Sequence, residues 1–104
     1  MKNIIVQKFG GTSVGSVERI LAVANIIKAA YKNEFPVVVV SAMGKETDRL
    51  VMLAKGISKN PEKRELDALL STGEKVSASL LAMQLNEMDI KAKSFSAAQI
   101  SMKT

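Results

Sequence analysis

Lys8-Phe9-Gly10-Gly11-Thr12-Ser13-Val14 is the stretch on which the reading of this chain turns. Just before it lies Ile4-Ile5-Val6, a β-branched run that predicts a short buried strand over residues 3 to 8. Just after it, Ser16 precedes a long apolar-periodic segment that predicts a helix. The order is therefore strand, glycine-rich turn, helix. Such a turn offers backbone N–H groups and a positive helix end, and both favour an anion such as phosphate. Lys8 adds a full positive charge at the end of the strand. Gly10 and Gly11 carry no Cβ, so a ligand oxygen can approach their backbone closely. A Walker A loop has its lysine after the glycines, followed at once by Ser or Thr; here Lys8 precedes them. The G-x-G-x-x-G dinucleotide pattern is absent from the stretch as well. The competing reading is a strand-to-helix turn whose glycines only relieve strain.

Working outward, Val17, Ile20, Leu21, Ala24, Ile27 and Tyr31 follow helical spacing, with Ser16 as N-cap and Glu18 in the first turn. The helix should end near Lys32-Asn33, ahead of Phe35-Pro36. Val37-Val38-Val39-Val40 is the clearest strand, and four valines in a row predict burial on both faces within a parallel sheet. The resulting βαβ unit should cross over right-handedly and place Lys8 and Ser41 side by side at the carboxyl rim, where such sheets bind ligands. Leu50, Leu53, Ala54 and Ile57 predict a second helix closed by Gly56 and Asn60-Pro61. Pro61 and Glu62 then suit the first turn of a third, striped by Leu66, Leu69 and Leu70. Ser71-Thr72-Gly73-Glu74 interrupts that pattern with capping-box spacing, so a further helix should start there. It would continue through Val76, Leu80, Leu81, Met83, Leu85 and Met88, buried on most sides, with Met83 and Met88 as core filler. Asp89 reads as a turn, Lys91 to Phe95 as a third strand, and Ser96 to Thr104 has no decisive pattern. The fold class is α/β with a parallel sheet.

A chain of 104 residues, 47% of them hydrophobic, suits one domain with a modest core and argues against disorder. There is no cysteine, which excludes disulfides and thiolate metal sites and is compatible with a cytoplasmic setting. There is no histidine, so imidazole is neither base nor ligand. No apolar run approaches the roughly 20 residues of a membrane span. The net charge is +5, but the lysines are scattered from Lys28 to Lys93, and only Tyr31, Phe9, Phe35 and Phe95 offer rings for stacking. That distribution argues against a nucleic-acid partner. A phosphate-bearing small ligand uses the positive charge equally well.

Three turns are thus expected near one rim: Lys8 to Ser13, Ser41 to Thr47, and Ser71 to Glu74. They supply a cation and N–H groups, hydroxyls on Ser41 and Thr47, and the Glu74 carboxylate. Phosphoryl transfer needs positioning and charge stabilisation more than covalent help, which suits Lys8 and the helix end near Ser16. Each residue has a plainer reading. Lys8 can be a solvated strand end, Ser41 a turn residue, Thr47 a helix N-cap, and Glu74 the capping-box partner of Ser71.

The string KFGGTSV resembles the opening of aspartokinases, within the amino acid kinase family. Val37-Val38-Val39-Val40-Ser41-Ala42-Met43-Gly44 with Thr47-Asp48 resembles their second signature, and Glu65 through Glu74, ending in Ser71-Thr72-Gly73-Glu74, their third. Phe95 to Thr104 is a looser match to the next stretch. The resemblance implies an incomplete three-layer α/β/α sandwich, with residues 1–104 the N-terminal part of an amino acid kinase domain and no second domain. It implies an aspartate kinase, which transfers the γ-phosphoryl group of MgATP to the side-chain carboxylate of L-aspartate. That reaction is the entry to lysine, threonine and methionine synthesis. Lys8 would be catalytic and, with Phe9, Gly10, Gly11 and Ser41, would hold ATP. Thr47 and Glu74 would hold aspartate, with Glu74 facing its ammonium group. ATP and Mg2+ are the implied cofactors. A carboxylate nucleophile is already ionised at neutral pH, so the missing histidine is no objection. Aspartokinases are several times longer and carry their nucleotide-base pocket and ACT domains further on. The chain is therefore expected not to turn over aspartate alone, and to associate with itself or with a missing C-terminal part. The alternatives are a glutamate or carbamate kinase, a non-catalytic nucleotide-binding or assembly module, and, least favoured, a nucleic-acid binder.

Overall fold

The structure, a computed structural model, describes residues 2–95. The looser resemblance over 96–104 lies outside them. The order is β1 (Asn3–Phe9), α1 (Val17–Tyr31), β2 (Glu34–Val40), α2 (Glu46–Ile57) and α3 (Lys63–Glu87). β1 and β2 pair in parallel, in register from Asn3 opposite Glu34 to Phe9 opposite Val40. Parallel neighbours need a crossover, and α1 supplies it. Ser16 caps α1 as expected, its hydroxyl accepting from the Arg19 N–H at 3.3 Å. Glu18 stands in the first turn of α1.

α1 and α3 pack on one face of the sheet and on each other, and α2 packs on α3. The core gathers Val14, Ile20, Val23, Ala24, Ile27, Val40, Leu81, Leu85 and Ile90, with Phe9 and Val38 against it. The buried stripe of α1 is thus rotated from the expected one, because Val23 enters the core while Val17 and Leu21 are exposed. Strand alternation sends Ile5, Gln7 and Phe9 inward with Val38 and Val40. Ile4, Val6, Phe35, Val37 and Val39 face outward and are exposed. The burial of β2 on both faces is therefore corrected: among the described residues only one face carries helices. The architecture is α/β with a parallel sheet, as expected.

The expected break at Ser71–Glu74 does not occur. α3 runs unbroken over 25 residues, and Glu62 caps it, accepting from the Glu65 N–H at 2.7 Å. Pro61 lies just ahead of that cap. Ser71 and Thr72 donate instead to the Ala68 and Leu69 carbonyls, at 2.8 and 2.7 Å. Gly73, Ser77, Leu81 and Leu85 form the buried stripe at four-residue spacing. The stripe continues through the presumed break, but its inward residue there is a glycine. Val76 and Met83 are exposed, so α3 is buried along one stripe and Met83 is not core filler. Met88 packs partly buried against the core, as expected. Gly56 lies inside α2 rather than after it.

The third strand at Lys91–Phe95 is also not formed. The Asn86 side chain takes both backbone groups of Ala92, accepting from its N–H at 2.9 Å and donating to its carbonyl at 3.2 Å. Those are the groups that a strand ladder would use. The segment instead borders an apolar groove of about 420 Å³ beside β2, lined also by Ile27, Phe35 and Leu81. Asp89, with φ 64°, makes the expected turn after α3.

Candidate functional site

The first motif leaves β1 as a tight turn. The Val14 N–H returns to the Gly10 carbonyl at 3.2 Å, and the Gly15 N–H to the Thr12 carbonyl at 3.3 Å. Val14 is fully buried and anchors the turn to the core. Among the described residues the N–H groups of Gly11, Thr12 and Ser13 meet no protein acceptor. They are free donors on a short arc just ahead of the α1 N-terminus, an arrangement that suits an oxyanion. Gly10 is exposed, and a Cβ there would meet nothing within 4 Å. The space above it is open to a ligand.

The second motif is joined to the first. The Ser41 N–H donates to the Phe9 carbonyl at 3.1 Å, extending the strand pairing by one bond. The Gly44 N–H donates to the Gly11 carbonyl at 3.1 Å. A Cβ on Gly11 would lie 3.1 Å from the Ala42 carbonyl oxygen, tighter than most β-carbon contacts, so a side chain there would press on the β2–α2 turn. Gly44 itself has φ +46°, the left-handed region that glycine adopts without strain.

The third motif meets the second from the other side. A Cβ on Gly73 would lie 2.8 Å from the Ala42 Cβ and 3.5 Å from the Glu46 Cγ. α3 therefore approaches the β2–α2 turn as closely as a bare glycine backbone allows. Thr47 stands exposed in the first turn of α2, and Glu74 exposed beside Gly73 in α3. Thr47 is not the helix cap: α2 starts at Glu46, and Lys45 occupies the cap position without a side-chain bond. Glu74 is not a capping-box partner either, since no helix begins at Ser71. Both structural alternatives for these residues fall away.

Lys8 is exposed at the carboxyl end of β1, on the outward face with Ile4 and Val6. It pairs in register with Val39, two residues before Ser41. Phe9 and Ser41 are half-buried. Of the expected site residues, Lys8 and Phe9 thus close β1, Gly10, Gly11 and Ser41 lie on the two zipped turns, Thr47 stands in the first turn of α2, and Glu74 follows Gly73 on α3. The hydroxyls of Ser71 and Thr72 donate their protons to carbonyls of their own helix. Two further features went unassigned in the sequence. Glu46 accepts from the Arg49 Nε at 3.0 Å and from its Nη2. The Arg49 guanidinium holds the Glu46 carboxyl below the usual carboxylate range. Gln7 Oε1 is buried with no donor among the described residues. The tight Gly73–Ala42 contact had a trace in the sequence, a glycine at an inward helix position where leucines stand before and after it. Among the described residues no cluster of three or more Asp, Glu, His or Cys is placed to hold a metal ion.

Residues 3–103 match the model of the amino acid kinase family. The chain belongs to that family. It is 62% identical over 102 residues to an aspartokinase of Geobacillus stearothermophilus, and 57% identical to aspartokinase 2 of Bacillus subtilis (strain 168). Each alignment covers 97% of this chain and 25% of the relative. A crystal structure of aspartate kinase from Synechocystis superposes with a TM-score of 0.86 at 61% identity, over 88% of this chain and 16% of that one. The chain thus spans about a quarter of the length of its curated relatives, and its α/β fold is that of an amino acid kinase.

Proposed function

We propose that these residues form the phosphate-binding and aspartate-binding part of an aspartate kinase. The observation that carries the reading is the convergence of three separated motifs on Ala42, through the Gly44–Gly11 hydrogen bond on one side and the Gly73 contact on the other. The Gly11–Ser13 N–H groups and Lys8 are suited to the phosphates of ATP, with Phe9, Gly10 and Ser41 around them. Mg2+ would enter with ATP as part of the substrate and would offset the charge of its phosphates; among the described residues no cluster of three or more carboxylates stands ready to hold it alone. Thr47 and Glu74 are suited to L-aspartate, Glu74 facing its ammonium group. One oxygen of the aspartate side-chain carboxylate attacks the γ-phosphorus, the bond from that phosphorus to the bridging oxygen breaks, and ADP leaves. No proton need be removed from the nucleophile. The product is an acyl phosphate, consumed in lysine, threonine and methionine synthesis. A cytoplasmic setting fits the cysteine-free sequence. Among the described residues no helix is long and apolar enough to cross a membrane. The exposed outer face of the sheet supports association with further polypeptide, a second copy included.

Steady-state kinetics of the full-length enzyme carrying these residues test the assignment. Lys8→Ala should lower kcat about a hundredfold or more, because it removes a charge aimed at the transferring group. Glu74→Gln should raise the KM for aspartate about tenfold to a hundredfold, the worth of a charge-assisted hydrogen bond to the ammonium. Unchanged kcat in the first variant and unchanged KM in the second would overturn the assignment.

A further inference from the structure

Ala42 sits between two glycines that come from opposite directions. Gly11 approaches its carbonyl oxygen, where an added Cβ would lie at 3.1 Å, and Gly73 approaches its side chain, where one would lie at 2.8 Å. Ala42 is 3% exposed, and Gly73 is buried. A Cβ–Cβ separation of 2.8 Å is essentially never found in proteins, so a methyl group on Gly73 must displace α3 or the β2–α2 turn. The atom met at 2.8 Å is not a flexible side-chain end: it is a β-carbon fixed to the backbone. A glycine in the middle of a 25-residue helix is otherwise unfavourable, since alanine has the higher helix propensity. Its presence marks a need for close approach.

The residues flanking this contact matter for the reading above, on which the inference rests. Ala42 follows Ser41, Gly73 precedes Glu74, and the Glu46 Cγ that an added methyl would meet at 3.5 Å precedes Thr47. We propose that Gly73 and Ala42 are positioning residues: the close contact of the bare Gly73 backbone with the Ala42 methyl sets the spacing between Thr47 on α2 and Glu74 on α3, and so the fit for aspartate. The phosphate-binding turn is held to the β2–α2 turn by the Ser41–Phe9 and Gly44–Gly11 hydrogen bonds, neither of which involves α3. A change at Gly73 should therefore reach aspartate before it reaches ATP.

The test is a pair of variants in the full-length enzyme. Gly73→Ala should raise the KM for aspartate about tenfold to a hundredfold, as expected for a displacement near 1 Å, and change the KM for ATP less than about threefold. Adding Ala42→Gly removes the obstructing methyl, and the double variant should recover the aspartate KM to within about threefold of the parent. A loss that is only structural would instead weaken both substrates together. If Gly73→Ala does not fold, the double variant decides alone, and recovery of both folding and aspartate KM supports the contact. Equal effects on both KM values, or no recovery in the double variant, overturn the proposal. If Glu74→Gln raises the aspartate KM and Gly73→Ala does not, the positioning role fails and the aspartate site stands. If neither variant moves it, the aspartate site fails and the positioning role with it.

Discussion

Two adjacent glycines in the first turn do different work. Gly10 has open space where a Cβ would stand, whereas a Cβ on Gly11 would meet the Ala42 carbonyl at 3.1 Å and the Gly44 carbonyl at 3.4 Å. Gly11→Ala should therefore destabilise the fold by about 1–3 kcal/mol, the usual cost of overpacking. Gly10→Ala should leave stability within about 0.5 kcal/mol, while hindering a ligand over the turn. Urea unfolding of the two variants checks this, and equal losses would contradict it. Glu46 gives a second prediction at this scale. Its folded-state pKa is lowered by the hydrogen bonds from Arg49 and by that residue's charge. A lowered pKa means that the pair contributes above the unfolded-state value and is lost as pH falls through the folded one. In a carboxyl NMR titration Glu46 should show a midpoint below that of an ordinary glutamate, and Arg49→Ala should bring it back up. A midpoint that Arg49→Ala leaves unmoved would contradict the pairing.

At the scale of the elements, the helix starts are the sharpest comparison. Ser16 caps α1 through the Arg19 N–H, so Ser16→Ala should cost about 1 kcal/mol. Ser71 has the same apparent signature but lies inside α3 and bonds to the Ala68 carbonyl, so Ser71→Ala should cost less than about 0.5 kcal/mol. Thermal unfolding of the two variants discriminates them, and a larger loss at Ser71 would restore the broken-helix reading. The same contrast explains what the sequence made legible. β1, α1 and β2 could be read from it as elements because their strand and helix patterns and the Ser16 cap agree with the fold, although the stripe that α1 buries is rotated from the expected one and β2 is covered on one face only. α3 could not be read whole, because Gly73 and Ser77 carry its buried stripe and neither registers as apolar. The Val37–Val40 run is equally instructive. Valine favours strand whether its face is covered or bare, so the run forecast the strand but not the exposure of Val37 and Val39. Residues 91–95 failed as a strand for a reason no pattern carries, the Asn86 side chain bonding both backbone groups of Ala92. The site was legible as three motifs. Their meeting at Ala42 was not, since it depends on two missing β-carbons.

For the whole molecule, the outward face of the sheet dominates. Ile4 is 68% exposed and Phe35 56%, with Val6, Val37 and Val39 beside them. An apolar sheet face left to water favours association. The 104-residue chain on its own should therefore sediment as a concentration-dependent oligomer, and Val6→Thr with Val37→Thr should weaken that association. A monodisperse monomer at every concentration would contradict it. The same face carries Lys8 at its carboxyl end, so whatever covers the sheet borders the phosphate turn.

The most direct measurement on the function is chemical capture of the product. Full-length enzyme carrying these residues is incubated with MgATP, hydroxylamine and either L-aspartate or L-glutamate, and the hydroxamate formed from the acyl phosphate is quantified. Aspartyl hydroxamate should form in step with ADP, fall to near background in Lys8→Ala, and be absent with L-glutamate. ADP release without hydroxamate, or equal hydroxamate from glutamate, would contradict an aspartate-phosphorylating site built from these three motifs.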